Sequence, residues 1–214
     1  MSTGTDPVAA AVIDAYERRA ADYISAVGST ETAHPMDRLM ITDWARSLSG
    51  PVVDAGCGPG HWTDHLCRLG LDTTGIDLTP AFLRHARQSH PGSTFHSGSL
   101  DRLPVESGGL GGVLSWFSLI HRPPQDVPVA LLEFRRVLCE PGGRLLLGFF
   151  TGRKLEPFDH AVVTAYRWPV DDMCQRLTDA GFTILEIHTR QLRGERPRAA
   201  IIAGTEPDDR PISR

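Results

Sequence analysis

The sequence has almost no lysine. Of its 22 cationic side chains only Lys154 is one, and the rest are arginine. Cations and acids are interspersed and the net charge is −4, so the pattern offers no basic face of the kind nucleic acids require. The four cysteines (57, 67, 139 and 174) form no Cys-x-x-Cys pair. Zinc and redox motifs are therefore unsupported, and the thiols read as inert residues in a reducing cytosol. No apolar run reaches the roughly 20 residues of a membrane span. The segment Met1 to Pro7 lacks the basic and apolar regions of a signal peptide, which makes a cytoplasmic protein the expectation. At 214 residues the chain supports one sizeable core.

What is present alternates. The first fifty residues carry two helical patterns. Val8, Val12, Ile13, Tyr16, Ala20 and Tyr23 form one stripe. After Pro35, residues Leu39, Met40, Trp44 and Leu48 form another, ending near Gly50-Pro51. From residue 51 onward short β-branched or leucine-rich runs alternate with helical segments. Strands are expected at 52–55, 71–77, 93–96, 111–117, 144–150, 182–189 and 199–204. Helices are expected at 61–69, 80–89, with Thr79 as N-cap, and at 127–138 and 170–180. This pattern predicts an α/β, Rossmann-like, doubly wound sheet of seven strands. The last two strands are joined by 190–198, too short for a crossover helix, so they should form an antiparallel terminal β-hairpin on an otherwise parallel sheet. The expected organisation is an N-terminal helical lid over 1–50, the α/β domain over 51–204 and a frayed tail over 205–214.

The most informative stretch is Val52-Val53-Asp54-Ala55-Gly56-Cys57-Gly58-Pro59-Gly60. Three alternate glycines let the backbone turn sharply and let a ligand lie against the main chain. The dinucleotide fingerprint G-x-G-x-x-G needs a glycine where His61 stands. Asp77, at the end of the second strand, suits a ribose diol in any nucleoside cofactor. Asp54 discriminates: a carboxylate just before the loop repels a pyrophosphate but welcomes an ammonium or a sulfonium.

These residues resemble the first two motifs of the class I S-adenosylmethionine-dependent methyltransferases, the second being Gly75-Ile76-Asp77-Leu78. Three further stretches are similar in order and register: 98–104, 112–121, and 131–147 with its Pro141-Gly142-Gly143 turn. The small type 11 group is the most similar. The resemblance implies S-adenosylmethionine as methyl donor and S-adenosylhomocysteine as product. It places Asp54, Ala55, Gly56 and Gly58 at the methionine end, Asp77 on the ribose, Leu78, Ser99 and Leu100 about the adenine, and Trp116 and Ser118 beside the sulfonium. It also implies an aromatic cover from the N-terminal helix, for which Tyr16 and Tyr23 are the candidates; core packing of both is the competing reading. Many relatives carry an acid where this chain has Gly111-Gly112.

The acceptor side is less defined. His121 follows the fourth strand at its carboxyl edge, where its ordinary pKa suits proton removal or orientation of a nucleophile; shaping the loop before Pro123-Pro124 is the alternative. The segment 151–169 contains Phe158, His160, Tyr166, Arg167 and Trp168. It reads either as a substrate lid, with His121, His160, Tyr166 and Trp168 as substrate contacts, or as a packing helix. Arg153, Lys154 and Arg167 suit an anionic acceptor or a solvated rim. His61 and His65 share a helix face, but without the glutamate of H-E-x-x-H they read as solvated, and no metal is expected. The expected activity is methyl transfer to a small-molecule metabolite, with oxygen favoured, by a monomer or homodimer without nucleic-acid or membrane partners. A cofactor-binding module without turnover and a nicotinamide oxidoreductase are the rival classes.

Overall fold

A computed structural model describes residues 7–206. Helices α1 (Pro7–Val27) and α2 (Pro35–Arg46) precede β1 (Val52–Ala55). Then follow α3 (His61–Arg68), β2 (Thr73–Asp77), α4 (Pro80–Ser89), β3 (Thr94–Ser97) and β4 (Gly112–Trp116). The second half contains α5 (Val127–Val137), β5 (Arg144–Phe150), a short pair β6 (Glu156–Phe158) and β7 (Ala165–Arg167), α6 (Val170–Asp179), β8 (Thr183–Arg190) and β9 (Arg198–Gly204).

Seven strands form one sheet in the order β3-β2-β1-β4-β5-β9-β8. The first five are parallel, and β9 runs antiparallel between β5 and β8. This is the Rossmann-like sheet with a terminal hairpin that the alternation predicts. Strand order reverses between β1 and β4, and the crevice beyond their carboxyl ends is where such sheets take ligands.

The continuous apolar runs of the central strands split between two faces because successive side chains point opposite ways. Val53, Val113, Leu145, Leu147 and Ile201 face α5 and α6, where Leu131, Phe134, Met173 and Leu177 are fully or nearly buried. Val52, Leu114, Leu146 and Ile202 face α2 and α3, meeting Ile41, Trp44, Trp62 and Leu66.

The two N-terminal helices do different work. α1 packs against α4 at the edge of the crevice, and Glu17 accepts a hydrogen bond from the Ala81 N–H (2.6 Å), capping α4. α2 is not a lid: its Ile41, Trp44 and Ala45 belong to the sheet core. Its apolar phase also differs from the expected stripe, since Leu39 is 52% exposed while Asp37 is buried and paired with Arg190. At the foot of β4 an added Cβ on Gly112 would press on Leu48 (2.6 Å) and Trp44 (3.2 Å). Glycine fits there because α2 and Leu48 approach the start of β4, at the sheet edge opposite the crevice.

The β3–β4 connection contains no helix. It is tied down by charge: Leu103 donates its N–H to the buried Glu133 carboxylate (2.6 Å), and Arg136 bonds Glu133 (2.7 Å) and the Val105 carbonyl (2.9 Å). The segment 151–169 is a two-stranded hairpin, not a covering helix; Trp168 N–H donates to the Phe150 carbonyl (3.0 Å), and Tyr166 N–H to that of Ile120 (2.8 Å). The expected tail begins ordered. Thr205 is buried and bonds the Cys139 carbonyl (2.7 Å), and Glu206 pairs with Arg144. Residues 207–214, and the N-terminal segment 1–6, lie outside the described residues. Among the described residues no helix is long and apolar enough to cross a membrane.

Candidate functional site

Two cavities open beyond the carboxyl ends of β1, β2 and β4. The first is lined by Tyr16, Tyr23, Gly56, Gly58, Asp77, Leu78, Ser99, Leu100, Trp116, Ser118 and His121. Eleven of the sequence-selected residues thus meet in one place. Asp54 lines the adjoining second cavity, while Ala55 is fully buried beneath the loop. The two cavities share Tyr23, Gly56, Gly58, Trp116 and Phe117 as a common wall.

The glycine loop is shaped by contact. Gly56 has φ +82°, and a Cβ there would collide with Ser118 Cβ, so the β1 and β4 loops touch with no room for a side chain. Asp77 fastens the same loop: its Oδ2 accepts from Gly58 N–H (2.9 Å) and its Oδ1 from Thr79 N–H (2.7 Å). Thr79 occupies the N-cap position of α4, yet its hydroxyl makes no cap bond; Glu17 supplies that acceptor at Ala81, while Asp77 holds the N–H of Thr79 itself. Burial pushes the Asp77 carboxyl upward, against the pull of those N–H groups. Each carboxylate oxygen retains a lone pair for a ribose hydroxyl.

Asp54 is 1% exposed and accepts from the Thr63 hydroxyl (2.7 Å). Burial, opposed by the Thr63 bond and aided by nearby Asp77, pushes its carboxyl up to about 7. A cationic ligand group beside it would favour the ionised form. Above it, α3 begins at Gly60 with no side-chain cap bond, and its first residues, His61 and Trp62, line the second cavity. The uncapped N–H groups suit a carboxylate.

Tyr16 and Tyr23 both line the first cavity. They meet edge to face (5.2 Å), and both pack on Phe82 (5.4 and 5.2 Å). Burial pushes the Tyr23 phenol up to about 12 and that of Tyr16 still further. Tyr16 reaches His121, its oxygen 2.8 Å from Nε2, and His121 Nδ1 lies 2.8 Å from the Thr164 carbonyl. Only a protonated Nδ1 can donate to a carbonyl. Neutral His121 therefore presents a lone pair at Nε2, and Tyr16 donates to it. Burial holds the imidazole below its ordinary pKa, which favours that neutral form.

The second cavity reaches over the β6–β7 hairpin and the start of β9, where it meets Phe150, His160, Arg167, Arg196 and Arg198. His160 lies there, its ring 5.1 Å from His121, and burial together with His121 and Arg196 lowers it to about 4. Trp168 does not line it. It is 2% exposed in the α5–α6 core, and Tyr166 packs against that same core, because alternation along β7 turns Arg167 toward the cavity and its neighbours away. His61 and His65 are not a solvated face. His65 bonds Thr42 (2.9 Å), and burial lowers His61 to about 4 within the cavity wall. No His, Cys, Asp or Glu group among the described residues could hold a metal.

Sequence reasoning missed Phe82, Phe117, Asp101 and Arg122, all of which line the first cavity. Phe82, two residues past the N-terminus of α4, had a signal in its spacing from Asp77. Phe117 had none. It adopts φ +57°, uncommon for a bulky residue, and so turns the chain sharply from β4 into the loop carrying Ser118.

Residues 52–143 match the family model for a methyltransferase domain. The chain is 28% identical over 162 residues to a malonyl-[acyl-carrier protein] O-methyltransferase of Erwinia billingiae, covering 67% of this chain and 63% of that one. It is 27% identical over 142 residues to a ubiquinone biosynthesis O-methyltransferase of Xanthomonas euvesicatoria, covering 63% and 59%. The chain thus spans less than two thirds of the length of these curated relatives. Among solved structures, the 1,6-didemethyltoxoflavin-N1-methyltransferase of Burkholderia thailandensis, bound to its substrate and S-adenosylhomocysteine, superposes with TM-score 0.75. It shares 19% identity, over 95% of this chain and 92% of that one. Magnesium protoporphyrin IX methyltransferase from Synechocystis, bound to S-adenosylmethionine, gives 0.74 at 19% identity, over 96% and 100%.

Proposed function

We propose that this chain, a member of the class I S-adenosylmethionine-dependent methyltransferases, transfers a methyl group to an oxygen of a small-molecule acceptor. The observation that carries the reading is the wall shared by the two cavities. Gly56, Gly58, Trp116 and Phe117 stand between the first cavity, which holds Asp77 and the Ser99–Leu100 turn, and a second one lined by aromatic and cationic groups. A donor in the first would present its reacting end to an acceptor in the second.

Bound S-adenosylmethionine supplies an electrophilic methyl on a sulfonium, a leaving group that needs no acid. This chain's own residues would do the rest. Asp77 would hold the ribose, and Asp54 the ammonium. The Ser99–Leu100 turn would hold the adenine, under an aromatic cover of Tyr16, Tyr23 and Phe82 that excludes water. Holding nucleophile and methyl in line is the principal catalytic term, and such positioning is able to contribute about 7–11 kcal/mol.

A hydroxyl that attacks a methyl group becomes strongly acidic as the bond forms, so a weak base suffices. His121 fits that part. It lies on the wall of the first cavity, its ring 5.1 Å from His160 of the second; its Nε2 lone pair receives the Tyr16 hydroxyl, whose oxygen would take the proton of an acceptor hydroxyl reaching across the shared wall. The O-methylating relatives support oxygen as the target.

Calorimetry with S-adenosylhomocysteine and with NADH tests the donor site. Binding of NADH alone would sink the reading. Label carried from methyl-labelled S-adenosylmethionine into any compound of a metabolite extract tests turnover, and its absence leaves a binding module without catalysis.

A further inference from the structure

The acceptor cavity holds buried polar nitrogens without partners. His160 Nδ1, Arg167 Nε and Arg198 Nε are all buried and unpartnered, and all three residues line that cavity. An unsatisfied buried donor costs about 1–3 kcal/mol, more when charged, so their convergence calls for an acceptor from outside.

The two guanidinium groups are also underpaired. Arg167 lies 3.5 Å from Glu156, and Arg198 lies 3.8 Å from Glu195 and 4.0 Å from Asp37. Pairs elsewhere close to 2.7–2.9 Å, as in Arg136–Glu133 and Arg135–Glu140. Their planes are held by aromatic faces instead: Arg167 lies 4.7 Å over Phe158, and Arg198 lies 5.7 Å over Phe117. Stacked guanidinium groups with free Nε–H edges are preorganised for a two-oxygen anion. The chain places them there by topology. β9 runs antiparallel to β5, so Arg198, its first residue, pairs with Phe150 at the carboxyl edge.

Resting on the methyltransferase reading above, we infer that the acceptor is an anion whose carboxylate or phosphate oxygens are gripped by Arg167 and Arg198, with Arg196 at the rim. Neutral His160 closes the pocket as a further donor. Arg153 and Lys154 are exposed and form the outer, solvated edge.

The test uses matched pairs: benzoate and benzamide, hexanoate and hexanamide, phenyl phosphate and phenol. Each is titrated into protein saturated with S-adenosylhomocysteine. The anionic member should bind about tenfold tighter than its neutral partner. Preference for the carboxylates or for phenyl phosphate tells which anion the site takes. Arg167→Gln and Arg198→Gln should each abolish the preference while S-adenosylhomocysteine affinity stays unchanged. If Arg198→Gln loses its thermal transition, Arg196→Gln, at an exposed position, takes its place.

Equal binding of neutral partners, a preference that survives the substitutions, or no binding by any pair member overturns the inference. Failure of S-adenosylhomocysteine itself to bind overturns the methyltransferase reading instead. The same titrations into ligand-free protein then decide the anion site alone.

Discussion

The two cavities differ in how their polar groups are satisfied. Around the first, the strongest groups already have partners: Asp77 takes two backbone N–H groups, and Tyr16 and His121 bond each other. Around the second, cationic and imidazole donors stand without acceptors. A cavity whose polar groups hold one another keeps its shape before any ligand arrives. One with orphaned donors is defined by what it waits for. The first is built from strand ends and their loops beneath α1, and the second from the α1–α2 connection, the glycine loop, the 151–167 segment and the stretch 194–198.

The comparison breaks most readily at Asp77. Asp77→Ala removes the acceptor that fixes Gly58 and Thr79 as well as the ribose contact. S-adenosylhomocysteine affinity should fall about a hundredfold by calorimetry, as expected for two charge-assisted bonds. An effect below threefold would mean that the loop is fixed otherwise.

Next in size is a pH effect. With its carboxyl raised to about 7, Asp54 is largely protonated below neutrality in the ligand-free protein. An ammonium favours the ionised form, so affinity for the donor should be full above pH 7 and fall about tenfold per unit below it. Asp54→Asn should flatten that slope. The linked effect on stability has the opposite sense. The folded protein binds a proton that the unfolded chain releases near 3.9, so this group's contribution is present at low pH and lost as pH rises through about 7. Urea midpoints across that range check it.

Smaller again is Tyr16→Phe, which leaves the aromatic cover but removes the bond to His121. Turnover should drop severalfold, in line with about 1 kcal/mol for one hydrogen bond, with donor affinity unchanged. His121→Ala with full turnover and an unaltered pH profile would end its role in proton handling. The smallest effect belongs to neither cavity: Asp14→Ala breaks an exposed pair with Arg18 and should leave thermal stability within experimental scatter.

The same contrast explains what the sequence made legible. The first cavity is written in short contiguous motifs, because a glycine loop and a strand-end acid act through backbone position. Asp54, Gly56, Gly58 and Asp77 could be read directly. The second is assembled from residues distant in sequence, such as 160, 167 and 198, the last brought to the carboxyl edge by the insertion of β9 beside β5. Three-residue strands carry too little alternation to reveal that Arg167 faces inward while Trp168 faces the core. The phase of α2 escaped for a different reason: Asp37 sits on its buried face because Arg190, more than 150 residues away, neutralises it there. The left-handed turn at Phe117 has no residue-type signal at all.

Trp116 gives the common wall an optical consequence. Its indole rests on Gly148, where a Cβ would come within 2.6 Å, and borders both cavities. Of the four tryptophans it alone borders both cavities: Trp62 lines the second only, and Trp44 and Trp168 lie buried in the cores. Its emission therefore reports arrivals from either side. Adding donor product and acceptor analogue in both orders, and comparing intrinsic emission with that of a Trp62→Phe variant, would yield the sequence of loading without a label.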